Sequence, residues 1–298
     1  RGFKSVLESM DPYLIDKYKM EKKNISLVDL VNLFHPTPNR KNAVAFKKLI
    51  NGESLEGTYT SKIFEKEMTK AGKIAKETGR AVAEVKAEVM SEVLGQNRGM
   101  NMMTLVRNLK NIIETSPDQV DEAVSQLTSK EKVLNSKLLP FRFASAYEEV
   151  SKLKGLSSSN SRIQFEKDKT PGNVVNKVLK ALETALEYSV LNIPKLSGNT
   201  AILIDHSGSV RGDGGGSSLV SAFSKTTKAN IGNLFASMMG YSQDNVYIGL
   251  FGDRLINVPM NRDMGVLEFN QYSFKKGESC GGATENGLYV FLNDCIKN

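Results

Sequence analysis

At Thr200 the character of the chain changes. The run Thr200-Ala201-Ile202-Leu203-Ile204 is short, apolar and rich in β-branched residues, and it ends on Asp205, with hydroxyls following at Ser207 and Ser209. A strand that is apolar on both sides is one buried between layers, as strands of parallel sheets are. Open α/β sheets bind ligands at the carboxyl ends of such strands. These residues therefore predict a parallel strand over 200–204 that delivers oxygen groups to its C-terminal edge. Only hard oxygens are on offer, which suits Mg²⁺ or Ca²⁺ and not zinc or copper. An ordinary strand end with an Asp/Ser turn reads the same way from these residues, so the rest of the chain has to decide.

From Thr200 to Asn298 the chain alternates as an α/β domain does. A Gly-rich loop, Gly212 to Gly216, precedes a helix expected over 217–239. A second strand is expected over 246–251, with an edge hairpin over 255–258. Gly281-Gly282-Ala283-Thr284 forms a tight loop before a last helix over 285–296. The strand that a doubly wound domain needs next would lie beyond Asn298, so this domain is expected to be incomplete.

Residues 1–198 read instead as helix after helix. Ser26 caps a helix carrying Leu27, Leu30, Val31 and Phe34 on one face, with Asp29 in capping-box position. That helix ends near His35-Pro36, since a residue before proline is pushed out of the α region. Thr37 and Pro38 are expected to start the next, which stops at Asn51-Gly52. A polar surface helix is expected over 61–79, and another over 81–94 with Gly95 as its cap. Further helical spacing runs over 99–111, from Ser116-Pro117-Asp118 through Leu127, over 141–153, and from Thr170-Pro171-Gly172 through Leu186. The Ser-rich 155–160 is a loop, and 194–199 a linker. Paired helices with short turns fit an α-solenoid.

Composition bounds the function class. With 40% hydrophobic and 24% charged residues, the chain has the make-up of a globular protein. No apolar run approaches bilayer length, and nothing at the start reads as a signal peptide. Arg1 as first residue implies a longer product upstream. Two cysteines, Cys280 and Cys295, give no disulfide framework, which points to a reducing, cytoplasmic setting. From Thr200 onward there are eight Lys+Arg and nine Asp+Glu, leaving 32 basic and 24 acidic residues before it. The whole net charge of +7 thus sits in the helical part, where it could attract phosphates or simply coat solvated helix faces. No acid/base or nucleophile constellation is present, which argues against an enzyme. The Gly212 to Gly216 loop lacks the G-K-[ST] ending of a phosphate-binding P-loop.

The D-x-S-x-S spacing of Asp205, Ser207 and Ser209 resembles the metal-ion-dependent adhesion site of von Willebrand factor A domains. Pieces elsewhere resemble the TROVE family, that of the Ro autoantigen and its bacterial and phage relatives, and in the right order. They are Lys17-Tyr18-Lys19, then LVDLVNLFH over 27–35, MTLVRNL over 103–109, LPFRFASAY over 139–147 and ALETA over 181–185.

The resemblance implies a HEAT-like helical-repeat array over 1–198, in a monomeric ring closed by a von Willebrand A-like domain over 199–298 that is truncated here. It implies binding of small structured (Y-like) RNAs on a basic outer surface, and of ends of misfolded noncoding RNAs through a central hole. Lys17, Lys22 or Lys23, and His35 match positions near the RNA surface, and Arg40 and Lys41 extend that stripe. Arg107, in the family's signature helix, either lines the hole or ties helices together. Thr284, following Gly281-Gly282, matches the family's Thr ligand, giving with Asp205, Ser207 and Ser209 a site for Mg²⁺ or another divalent cation; the remaining Asp would fall beyond Asn298. A site with one carboxylate leaves the ion net positive, so the alternative reading is a scaffold that captures an acidic protein partner through the metal.

Overall fold

The computed structural model describes residues 2–21, 23–59, 63–95, 100–155, 171–212, 218–220 and 226–297. The chain divides into two compact units, residues 1–100 and 101–298.

The first unit is helical throughout its described residues: α1 (Gly2–Ser9), α2 (Pro12–Lys17), α3 (Leu27–Phe34), α4 (Ala43–Ile50), α5 (Phe64–Thr78) and α6 (Val82–Leu94). Its ends are set by local chemistry. Asp11 accepts from the Leu14 amide at the start of α2, where Pro12 occupies the first turn. Ser26 and Asp29 form the expected reciprocal capping box on α3. A core of Leu7, Ile15, Leu27, Val31, Ala45, Phe46, Leu49 and Leu55 binds α1 to α4 together. Each fully buried aliphatic or aromatic side chain there contributes about 1.5–3 kcal/mol. Helices α5 and α6 pair through a smaller cluster of Ala71, Ala75 and Val85, with Gly79 in the left-handed conformation (φ 68°) turning the chain between them.

The expected start of α4 at Thr37-Pro38 is wrong, and the reason is a set of competing hydrogen bonds. The Thr37 amide donates to the Glu8 carboxylate, and the Asn39 side chain accepts from the amides of Lys41 and Asn42. This Asx-type turn holds 39–42 outside the helix. Asn42, fully buried, also donates to the carbonyls of Glu8 and Met10, so the helix begins only at Ala43.

The second unit opens with α7 (Met102–Thr115), a 3₁₀ turn (Pro117–Gln119), α8 (Val120–Thr128), α9 (Lys130–Ser136), α10 (Pro140–Ser151) and α11 (Pro171–Val190). The long α11 packs against α8, α9 and α10 through Val174, Val178, Leu182, Ala185 and Leu186, the residues its periodicity singles out. Helix α9 has no counterpart among the helices expected from sequence: it is seven residues long with one fully buried residue, Val133, too short for periodicity to register. The expected loop at 156–160 and the helix start at Thr170 lie outside the described residues.

Strand β1 (Thr200–Asp205) then pairs in parallel with β2 (Val246–Phe251), and β3 (Leu255–Asn257) pairs antiparallel with β2, in the order β1-β2-β3. Between β1 and β2 lie α12 (Gly208–Arg211) and α13 (Lys228–Ser242), and after β3 come α14 (Val266–Lys276) and α15 (Thr284–Lys297). Helix α13 meets the sheet face bearing Ile204 and Ile248, with Gly232 and Gly240 allowing the approach. Phe291 of α15 packs with its ring tilted against Tyr247, which points to the opposite face. Helix α13 thus covers one face of the sheet, while α15 covers the other only at β2 and β3, leaving Ala201 of β1 exposed and Leu203 half-buried. Helix α13 starts at Lys228, about three turns later than the periodicity suggests, because Thr227 and Asn230 form a capping box there and Leu219 bridges to Thr227. Helix α14 is likewise not foreshadowed by periodicity. It presents mostly polar residues and buries only Val266, Phe269 and Ser273. Among the described residues, no helix is long and apolar enough to cross a membrane.

Candidate functional site

The oxygen cluster forms where β1 ends. The Ser207 amide donates to Asp205 Oδ1 at 2.9 Å, and the hydroxyls of Ser207 and Ser209 lie 3.1 Å apart. Ser207 is buried and Ser209 exposed, so the cluster opens on one side only. Asp205 Oδ2 has no protein partner among the described residues.

The Thr284 loop is fixed to the same sheet edge. Asp205 lies opposite Phe251 in the β1–β2 register. One residue further on, Gly252 and Asp253 hold the loop: Gly281 N–H donates to Asp253 Oδ1 at 2.6 Å and Asp253 N–H to the Gly281 carbonyl at 3.3 Å. A Cβ on Gly252 would sit 2.6 Å from the Gly281 oxygen, so glycine is needed for that approach. Thr284 begins α15 half-buried, and its hydroxyl has no protein partner among the described residues. Asp205, Ser207 and Ser209 are thus brought together by direct contact, and the loop that leads to Thr284 is clamped at Gly281 to the end of the neighbouring strand. Asp253 is an addition to the residues expected from sequence. Its signal is nonetheless there, an acid directly after the carboxyl end of a parallel strand.

The donor types suit a hard divalent cation: a carboxylate oxygen of Asp205 and the hydroxyls of Ser207, Ser209 and Thr284. They do not suit a softer metal, since none of these four residues offers an imidazole or a thiolate.

Beneath this edge lies a buried polar network that periodicity cannot reveal. His206 is fully buried. Arg211 donates to its Nδ1 at 2.8 Å, so Nε2 carries the proton and donates to Asn233 Oδ1 at 3.2 Å. Asn233 Nδ2 in turn reaches the Asn270 carbonyl and the Ser273 hydroxyl of α14. Arg211 also donates to the Phe274 carbonyl and stacks on that ring at 4.2 Å. Desolvation, helped by the Arg211 charge, pushes the His206 pKa down to about 4, against smaller opposing effects of Asn233 and Asp205. His206 is therefore neutral at physiological pH. It pins α12, α13 and α14 around the cluster and is not a ligand in it.

The basic candidates separate by their partners. Lys17 is nearly hidden, 3.5 Å from Glu65 and 5.8 Å from the centre of the Tyr13 ring. Lys22 lies outside the described residues. Lys23, His35, Arg40 and Lys41 are exposed, and none forms an ion pair among the described residues. His35 closes α3 in the left-handed conformation (φ 44°), its amide bonded to the Val31 carbonyl. Arg107 is exposed on α7 and free of ion pairs among the described residues. Its neighbour Asn108 bonds within the helix, to the Thr104 carbonyl.

The TROVE domain profile matches residues 14–187, from α2 into α11. The fold resembles that in the crystal structure of the Deinococcus radiodurans Ro (RSR) protein, with a TM-score of 0.50 and 14% identity, over 95% of this chain and 57% of that one. The chain thus spans somewhat over half the length of that protein. No curated protein sequence matches it.

Proposed function

The chain belongs to the TROVE domain family, and from that premise we propose that it is the RNA-binding component of a ribonucleoprotein. The observation that carries this reading is the family match across residues 14–187, over the part of the chain that holds all its excess positive charge. Lysine and arginine there supply sequence-independent phosphate contacts. In this reading the helical part is a HEAT-like array and the part from Thr200 a von Willebrand A-like domain. The partners are small structured Y-like RNAs and the ends of misfolded noncoding RNAs, and the setting is cytoplasmic RNA quality control. The protein acts by binding and performs no chemistry on the RNA. The exposed candidates for contact are Lys23, His35, Arg40, Lys41 and Arg107.

Mg²⁺ at the oxygen cluster is auxiliary to that role. Asp205, Ser207, Ser209 and Thr284 would hold it, directly or through water. Bound there, the ion keeps net positive charge and offers a docking point for an acidic group.

Crosslinking the protein in its own cells and sequencing the attached RNA tests the reading. Enrichment of small structured noncoding RNAs is the expected result. Recovery of RNA no greater than from an uncrosslinked control would refute it.

A further inference from the structure

Two of the oxygens in the candidate cation site stand on a turn too short to hold itself. Ser207 and Ser209 lie at the start of α12, which is four residues long. A single helical turn fixes several backbone angles for very few hydrogen bonds, so it is not stable alone. The amides of Val210 and Arg211 reach the Ser207 carbonyl, and that of Gly212 reaches the Gly208 carbonyl. These bonds close the turn on itself and leave its place against the rest of the domain to other contacts.

The main outside contact is the side chain of Arg211, 9% exposed at the end of the turn. Its Nη1 donates to His206 Nδ1 at 2.8 Å and to the Phe274 carbonyl at 2.9 Å. The guanidinium carbon lies 4.2 Å from the centre of the Phe274 ring, and Nη2 lies 4.0 Å from Glu278. Phe274 belongs to α14 and Glu278 to the 3₁₀ turn after it. His206 sits in the chain between Asp205 and Ser207. One side chain therefore fastens the oxygen-bearing segment at both ends, at Arg211 through its own backbone and at His206 through a hydrogen bond. The guanidinium makes no hydrogen bond to the side chains of Asp205, Ser207 or Ser209 among the described residues, so it leaves those oxygens to a ligand.

Charge and position pull in opposite directions here. A guanidinium near a cation repels it, so by charge alone the loss of Arg211 would tighten cation binding. A side chain that fixes the ligands beforehand spares the ion the cost of gathering them, so by position its loss would weaken binding. The contacts favour position: every polar contact of the guanidinium goes to His206, Phe274 or Glu278, and it reaches the cluster through them.

We infer that Arg211 is a positioning residue of the oxygen cluster, which by fastening α12 to α14 holds Ser207 and Ser209 where a divalent cation can take them together with Asp205. The inference rests on the reading of this cluster as a Mg²⁺ site. It goes beyond that reading by naming the side chain, outside the four candidate ligands, on which the affinity depends.

The test titrates the full chain with Mn²⁺, which takes the same oxygen ligands as Mg²⁺, and follows the loss of the free-ion EPR signal. Arg211→Lys keeps the charge without the planar fork, and Arg211→Met removes both. Phe274→Ala removes the ring under Arg211 and leaves every charge and candidate ligand in place. Val258→Ala thins the core of the same sheet away from these contacts and controls for lost stability alone. Loss of an outer partner of a metal ligand costs about 10–100-fold in affinity, so both Arg211 variants should bind Mn²⁺ weaker by about that factor. Phe274→Ala should shift the same way, and it decides the matter if neither Arg211 variant folds. Val258→Ala should bind as wild type does, even with a lower melting temperature. Unchanged or tighter binding in Arg211→Met, or a loss in Val258→Ala equal to that in Arg211→Lys, would overturn the inference while the metal site stands. Wild-type protein that takes up no more Mn²⁺ than Asp205→Ala would overturn the inference and the metal reading together.

Discussion

Replacing Asp16 by asparagine tests whether buried charge holds the first unit together. The carboxylate is 2% exposed, on α2. It accepts two bonds from Lys66 of α5, at 2.6 and 2.7 Å, and one from the Tyr59 hydroxyl, with Lys19 at 3.9 Å. Burial alone would raise its pKa. The Lys66 and Tyr59 hydrogen bonds and the two lysine charges outweigh that and hold the carboxyl below its ordinary value. Removing one partner of a fully buried pair costs about 3–5 kcal/mol. The Lys66 side chain is 36% exposed and can recover part of its hydration, so the lower end, about 3 kcal/mol, is expected. In urea, with a slope of about 2 kcal/mol/M, the midpoint of unfolding should fall by about 1.5 M. The chain has no tryptophan, so far-UV circular dichroism is the probe. The Asp16→Asn/Lys66→Met cycle should give a coupling of about 1.5 kcal/mol or more. The sign of the pH effect follows from the lowered pKa. The contribution is complete above the unfolded value of 3.8 and is lost as pH falls through the lower folded value, so the gap between wild type and variant should close in acid. A coupling below about 0.5 kcal/mol, or a gap that does not change with pH, would refute the reasoning.

Other consequences can be checked in the same preparation. A Cβ at Gly277 would lie 2.0 Å from His206 Nδ1, so Gly277→Ala should destabilise the second unit by about 1–3 kcal/mol or more, read as a lower melting temperature. An unshifted melting temperature would show that the His206 packing has slack. Millimolar Mg²⁺ should raise the melting temperature of the wild-type chain and leave Asp205→Ala unmoved; equal shifts in both would place the ion elsewhere. Ser26→Ala should cost about 1 kcal/mol by opening the α3 capping box, and a loss nearer zero would mean that tertiary packing alone fixes that end. Leu182→Ala, in the fully buried stripe of α11, should cost about 2–5 kcal/mol in urea unfolding.

Local chemistry was legible wherever residues close together in sequence decide the outcome. The α3 capping box needs only Ser26 and Asp29, the two strand ranges of the parallel pair need only their apolar runs, and the inward stripe of α11 needs only its own periodicity. The contact among Asp205, Ser207 and Ser209 is local in the same sense. Partners distant in sequence were not legible. Helix α4 starts late because Glu8 takes the Thr37 amide. The placement of the Thr284 loop depends on Asp253, and the His206 network on Asn233 and α14. The sequence alone determined that a basic helical part precedes an α/β part whose first strand ends in a cluster of side-chain oxygens, since composition and periodicity are properties of neighbours along the chain. Only the tertiary structure decided which cations are neutralised. Lys17 and Arg40 are alike as sequence, but folding sets Glu65 beside the first and no carboxylate beside the second among the described residues.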